Sequence, residues 1–231
     1  MKYHPMLLAF KDVIQHPTQI FFNMKNFQYS IEGIFPTPVY TSFDIKKFTK
    51  AELNLVETHK NKVYGNVGNT TSTESYILNK PIFKKLKNII TDHTNEYFKK
   101  TFVPKNKDLK LYITQSWLNY TLTDQFHHGH VHQNSLVSGV LYIKANKDFD
   151  SIVLEDRAEY TNLKIYTENY NIFNSKAWTI PIEAGMLIMF PSTTVHKVKT
   201  KKDSNERISL AFNTFVKGTL GHAKELTELI I

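Results

Sequence analysis

The hydrophobic period of this chain changes at Leu109, and that change sets the fold class. Upstream, Phe83, Leu86, Ile89, Ile90, Tyr97 and Phe98 recur mostly three or four positions apart and predict a helix over about 81–102, with Pro81 suited to its first turn. Ile45, Phe48, Leu53, Leu55 and Val56 form a less regular stripe that predicts an earlier helix over about 44–62. From Leu109 the period is two. Strands are expected through Leu111, Ile113, 116–120 and Leu122, then at 137–143, 151–154, 178–180, 186–190, 194–199 and 208–215, with turn signals such as Glu183-Ala184-Gly185 between them. Helices followed by many short strands predict an α+β fold, mainly β, in which a sandwich or barrel carries helices on one face.

The region before residue 33 reads as an N-terminal extension whose role the pattern leaves open, and 33–231 as one domain. Leu7, Leu8, Phe10, Val13 and Ile14 have helical spacing that stops at Pro17, and the aromatic-rich 20–29 reads as a strand. Phe35-Pro36-Thr37-Pro38-Val39-Tyr40 predicts an extended edge segment, where proline is tolerated. The stretch 66–75 is rich in Gly, Asn, Thr and Ser and is expected to be a loop, long and polar enough to serve as a lid.

Composition narrows the class. With 231 residues, 41% of them hydrophobic, 16 Phe and 12 Tyr, the chain can bury a sizeable core and is not of the disordered type. No apolar run approaches the roughly 18 residues of a membrane span, so no membrane partner is expected. The absence of Cys fits a reducing cytoplasm. The net charge of +8 comes mainly from scattered lysines, and no Arg-aromatic motif interleaves with them. A solvated Lys-rich surface therefore explains it better than a nucleic-acid partner, although basicity would help attract an anionic substrate. Oligomeric state leaves no trace in the sequence.

The chemistry concentrates in two places. His127, His128, His130 and His132 fall within six positions, and His196 follows a later strand. On a strand, His128, His130 and His132 would face one way and His127 the other. Imidazole suits Fe, Zn, Cu and Ni, so spacing alone does not name the metal. Arg207 and Ser209 share one face of the next strand and would meet His196 if the two strands were antiparallel neighbours. An inward Arg is costly unless an anion meets it, and a dicarboxylate would satisfy its bidentate fork.

These residues carry a resemblance. His130-Val131-His132-Gln133-Asn134-Ser135, Ser138-Gly139-Val140-Leu141-Tyr142, Gly185-Met186-Leu187-Ile188-Met189-Phe190-Pro191-Ser192, His196 and Arg207-Ile208-Ser209 resemble, in order and spacing, the core of the 2-oxoglutarate- and Fe(II)-dependent dioxygenases. They are most similar to an uncharacterised branch from phages and marine bacteria. The resemblance runs from about residue 33 to the end, with its motifs in the second half. It implies a double-stranded β-helix, or jelly-roll, core with flanking helices. It also implies Fe(II) as metal, 2-oxoglutarate and O2 as co-substrates, and a hydroxylated product formed with succinate and CO2. The substrate itself is not readable.

The resemblance implies His130, His132 and His196 as iron ligands. It implies Arg207, Ser209 and Tyr142 as the grip on the far carboxylate of 2-oxoglutarate. Asn119, Asn213, His128, Arg157 and Trp117 are candidates for the pocket, and Trp178 for its mouth. His132 departs from the wider superfamily, which has Asp or Glu there, and leaves the site one charge more positive. His128 as a substitute ligand, an anionic oxygen from Glu155 or Asp156, and His132 as a non-ligand all stay open. So do a three-His cupin-type dioxygenase that works without 2-oxoglutarate and a non-catalytic jelly-roll binding module. A zinc hydrolase is the most distant alternative, since no general base stands beside the histidines.

Overall fold

The computed structural model describes the backbone at 19–24, 27–156 and 165–231. The predicted helical stretch at 7–14 and the candidate Arg157 lie outside the described residues. The chain divides into two compact units. The smaller contains an antiparallel hairpin of β1 (Gln19–Met24) and β2 (Phe27–Glu32), so the single strand expected over 20–29 is a pair.

The larger unit holds the remaining elements in chain order. They are β3 (Tyr40–Ser42), α1 (Lys50–His59), β4 (Val63–Gly65), β5 (Thr70–Ser72), α2 (Lys84–Phe102), β6 (Lys110–Thr121), β7 (His127–His130), β8 (Val137–Lys144), β9 (Ser151–Glu155), β10 (Ala177–Pro181), β11 (Leu187–Pro191), β12 (Val195–Val198) and β13 (Arg207–Lys217). A short pair, β14 (Thr219–Leu220) and β15 (Leu229–Ile230), closes the chain. Helix α2 agrees with the periodicity, preceded by two 3-10 turns at Ile77–Asn79 and Pro81–Phe83.

Helix α1 is shorter than its apolar stripe. Thr49 caps it: its Oγ1 accepts from the Glu52 amide at 3.2 Å, while Glu52 accepts from the Thr49 amide at 2.8 Å. That reciprocal box stops the helix from extending toward residue 44, and Asp44 sits at φ 50, outside the helical region.

Two antiparallel sheets form the jelly roll. The larger runs β3-β11-β8-β13-β6-β5-β4 and the smaller β10-β9-β12-β7. The edge segment expected before residue 40 becomes a strand only at Tyr40, and β3 is indeed the outer strand. The expected loop at 66–75 is in part a hairpin arm: β4 and β5 extend the large sheet, with Thr70 opposite Tyr120 and Thr71 opposite Asn119. Three-residue strands are too short to show alternation, which is why they read as loop.

Alternation along β13 decides what each face does. One face carries Ile208, Leu210 and Phe212 beside Leu118 and Tyr120 of β6, Leu141 and Ile143 of β8, and Leu187 and Met189 of β11. These pack on Leu86, Ile90, Tyr97 and Phe98 of α2. Burial contributes roughly 1.5–3 kcal/mol for each large apolar side chain, so this layer provides most of the stability. Its packing is tight at Gly139, where a Cβ would stand 2.1 Å from the Phe212 ring. The opposite face carries Arg207, Ser209, Ala211 and Asn213 with Tyr142, Val140 and Ser138 beside them. It turns toward a second cluster in which Tyr142, Ile188 and Phe190 pack with Ile152 and Leu154 of β9 in the small sheet. The polar positions of this inner face make the site.

Candidate metal centre

His130 and His196 are directly opposed on β7 and β12, and their ring centroids are 4.2 Å apart. Strand β7 ends at His130, and His132 lies two residues beyond it. The His132 amide donates to the Ser192 carbonyl at 3.0 Å, and its ring stacks on His130 with centroids 5.1 Å apart. One ligating nitrogen from each of His130, His132 and His196 lies within 4.8 Å of the others.

Each ring has its Nδ1 beside an acceptor. The His130 Nδ1 faces the His128 carbonyl at 2.9 Å, the His196 Nδ1 faces the Thr194 carbonyl at 3.1 Å, and the His132 Nδ1 meets Asn213 Oδ1. A carbonyl oxygen only accepts, so Nδ1 carries the proton and Nε2 keeps its lone pair. That is the tautomer a metal ligand needs. Burial lowers the proton affinity of all three rings, to about 3 for His196, where the neighbouring histidines add to the effect. The rings are therefore neutral at pH 7. An all-imidazole donor set in the Nε2-free tautomer fits Fe(II), and equally fits the other divalent ions that imidazole favours.

His127 and His128 form a second group with His130, again with nitrogens within 4.8 Å. The β7–β12 register shifts between His196 and Val198, which brings His127 onto His130 as a stack rather than onto the opposite face. Asn66 of the β4–β5 hairpin bonds the His127 ring at 3.1 Å. His128 Nδ1 is buried with no hydrogen-bond partner among the described residues. His130 serves both groups, and its single free nitrogen can hold one ion at a time. Glu155 pairs with Lys197, and neither Glu155 nor Asp156 joins a histidine group among the described residues.

Strands β12 and β13 are not neighbours. β12 pairs with β7 and β9 in the small sheet, and β13 with β6 and β8 in the large one, so His196 and Arg207 come from opposite layers of the roll. The expected cross-strand contact is corrected accordingly. Tyr142, Ser209 and Asn119 share one row of the large sheet, with Arg207 two positions along the same face. All four are buried. The Arg207 Nη2 donates to Thr121 Oγ1 at 3.0 Å. Its Nη1 stands 3.6 Å from Asp150 Oδ1, beyond hydrogen-bond range.

Asp150 is already occupied, by Lys201 at 3.1 Å on Oδ1 and by the Asn146 amide at 3.0 Å on Oδ2. Among the described residues, the Ser209 and Tyr142 hydroxyls have no hydrogen-bond partner. A guanidinium with most of its five donors uncommitted, flanked by two such hydroxyls, suits a carboxylate. Burial pushes the Tyr142 phenol up, so it stays a donor. Asn119 is committed elsewhere, its Oδ1 accepting from Thr71 at 2.8 Å. Trp117 lies against His132, with centroids 5.5 Å apart, whereas Trp178 sits on the outer strand β10, 53% exposed.

Sequence reasoning missed Asp150, Lys201, Thr121 and Asn66. Lys201 read as one more surface lysine, yet its side chain is fully buried.

The two-sheet jelly roll and part of the sequence are similar to known proteins. Residues 115–213 match the family model described as "Putative 2OG-Fe(II) oxygenase". The matched segment holds every ligand candidate. The fold is similar to a 2OG-Fe(II) oxygenase family oxidoreductase from Burkholderia pseudomallei, at TM-score 0.51 and 14% identity over 76% of this chain and 83% of that one. It is similar to a Pseudomonas putida prolyl-4-hydroxylase at TM-score 0.51 and 12% identity, over 77% and 92%. It is also similar to the non-heme alpha ketoglutarate dependent epimerase SnoN from nogalamycin biosynthesis, at 0.52 and 9%, over 78% of each chain. No curated protein sequence matches the chain.

Proposed function

We propose that this oxygenase holds Fe(II) on His130, His132 and His196 and grips the far carboxylate of 2-oxoglutarate with Arg207, Tyr142 and Ser209. In this reading it hydroxylates its substrate, and the catalytic domain begins near residue 33. Bound Fe(II) with 2-oxoglutarate supplies the oxidising chemistry: one oxygen atom of O2 enters succinate as CO2 leaves, and the other enters the substrate.

The chain's own residues supply position and environment. The Nδ1 acceptors keep three lone pairs aimed inward. Lys201 and Asn146 hold Asp150 by hydrogen bonds, and Asp150 meets Arg207 only as an ion pair at 3.6 Å, which leaves the guanidinium N–H groups on that side for a ligand. Trp117 and Phe190 wall the imidazoles, the latter 4.7 Å from His196. The observation that carries the reading is the buried Arg207, Tyr142 and Ser209 cluster with open donors. A three-His dioxygenase acting without 2-oxoglutarate, or a non-catalytic binding module, would leave that cluster without a function.

The test is anaerobic mixing of the protein with Fe(II) and 2-oxoglutarate, followed by admission of O2. A weak visible charge-transfer band and succinate formation are expected. Oxygen uptake that is indifferent to 2-oxoglutarate would overturn the assignment.

A further inference from the structure

Four polar residues behind His132 form a chain whose direction can be worked out from one end. The Ser135 hydroxyl stands 3.2 Å from the Val137 carbonyl and 3.2 Å from the Thr214 carbonyl. Both can only accept, so the Ser135 proton is committed to them. Ser192 Oγ lies 2.7 Å from Ser135 Oγ and must donate to it. Ser138 Oγ lies 2.8 Å from Ser192 Oγ and 3.0 Å from Asn213 Oδ1. Ser192 has spent its proton and Asn213 Oδ1 carries none, so each of these two oxygens offers Ser138 only a lone pair, and every contact in the chain is satisfied when the Ser138 proton goes to one of them. Ser138 Oγ, 3.0 Å from His132 Nδ1, is left with a lone pair toward the ring, as is Asn213 Oδ1. A bare Nδ1 could take the Ser138 proton, but it would still set its lone pair against Asn213 Oδ1 and leave the Ser138–Ser192 contact without a proton.

We propose that the Ser135–Ser192–Ser138–Asn213 chain is a positioning device that forces the proton of His132 onto Nδ1 and so makes this third imidazole a metal ligand through Nε2. It rests on the reading of His132 as a ligand. It also explains how a ring outside any strand is held as firmly as the two on β7 and β12. Ser138 and Ser192 are each 1% exposed, so water does not compete for these hydrogen bonds. The two carbonyls act as the fixed terminus, and each hydroxyl passes the constraint one step toward the ring. Ser138 and Asn213 are positioning residues, acting on the metal through His132.

The experiment is long-range proton–nitrogen correlation NMR of the histidine rings in the metal-free protein, followed by Zn(II) titration. In the unsubstituted protein the His132 proton is expected on Nδ1. Ser192→Ala and Asn213→Leu should shift part of the population to the Nε2-protonated form and weaken Zn(II) binding roughly 10–100-fold. Asn213→Asp, which keeps an oxygen that only accepts, should restore the Nδ1 form. A proton on Nε2 in the unsubstituted protein, or on Nδ1 in every variant, would overturn the proposal. If the tautomers behave as stated but Zn(II) perturbs only His130 and His196, the ligand reading of His132 fails, and with it the purpose of the chain.

Discussion

His196 and His130 are cross-strand partners whose rings are 4.2 Å apart, each with Nδ1 turned to the main-chain carbonyl two residues earlier. The same local device thus sets both tautomers from within the segment. His130→Ala or His196→Ala should each weaken Fe(II) binding by at least about 100-fold, since two ligands of three do not hold the ion. Isothermal titration under argon reads this directly. Near-normal affinity in either variant would remove that residue from the ligand set.

His132 is the proposed ligand whose loss separates this centre from one built on His127 and His128. His132→Ala is expected to abolish the charge-transfer band with 2-oxoglutarate, while His128→Ala leaves it in place. The reverse pattern would move the metal to the second group.

Arg207→Ala should raise the 2-oxoglutarate requirement about 10–100-fold while leaving metal affinity within a few-fold, because a charge-assisted bidentate contact contributes roughly 1.5–3 kcal/mol. Tyr142→Phe, which removes one hydroxyl, should have a smaller effect in the same direction. Titrating the band with 2-oxoglutarate at saturating Fe(II) distinguishes them. If Arg207→Ala binds the diacid normally, the anchor lies elsewhere.

The metal-free protein should lose stability on mild acidification. The His196 pKa falls to about 3 when folded, because burial and neighbouring imidazoles disfavour the cation. The unfolded ring titrates near 6.5. Below that value the unfolded chain binds the extra proton and the folded one does not, so the stabilisation is complete above pH 6.5 and is lost as pH falls toward 3. Between pH 7 and pH 5 this single group accounts for about 2 kcal/mol. Urea unfolding at the two pH values measures it; equal midpoints would show that the ring is solvated.

Gly139→Ala should destabilise the fold by roughly 1–3 kcal/mol, since the new methyl meets the Phe212 ring 2.1 Å away in a layer with little slack. Phe212→Leu in the same chain should recover part of the loss. Additive rather than compensating effects in a double-mutant cycle would place the strain elsewhere.

Much of this was legible before any coordinates. The change of period at Leu109, helix α2 and the order of the long strands follow from side-chain alternation that burial enforces. Thr49 and Glu52 already marked the true start of α1, since a capping box is a local signal that an imperfect apolar stripe overrode. His130, His196 and Arg207 stood out because each is a costly residue at an inward position. Two-residue alternation placed His132 beside His130, and the rings do stack, but the strand ends at His130 and the His132 main chain is held by Ser192, a tertiary hydrogen bond that the sequence does not show. Lys201 and Asp150 were invisible for a related reason: nothing in a lysine's neighbours along the chain shows that its ammonium will be fully enclosed.

Two of the three imidazoles belong to the small sheet, while the third is tethered through Asn213 and Ser138 to the large one, which also carries the cation. A nascent chain with only one layer built can offer an ion no more than an incomplete grip. With the proposed ligand set, a full grip on the metal therefore forms only once both layers have closed, and a half-made polypeptide is spared reactive iron.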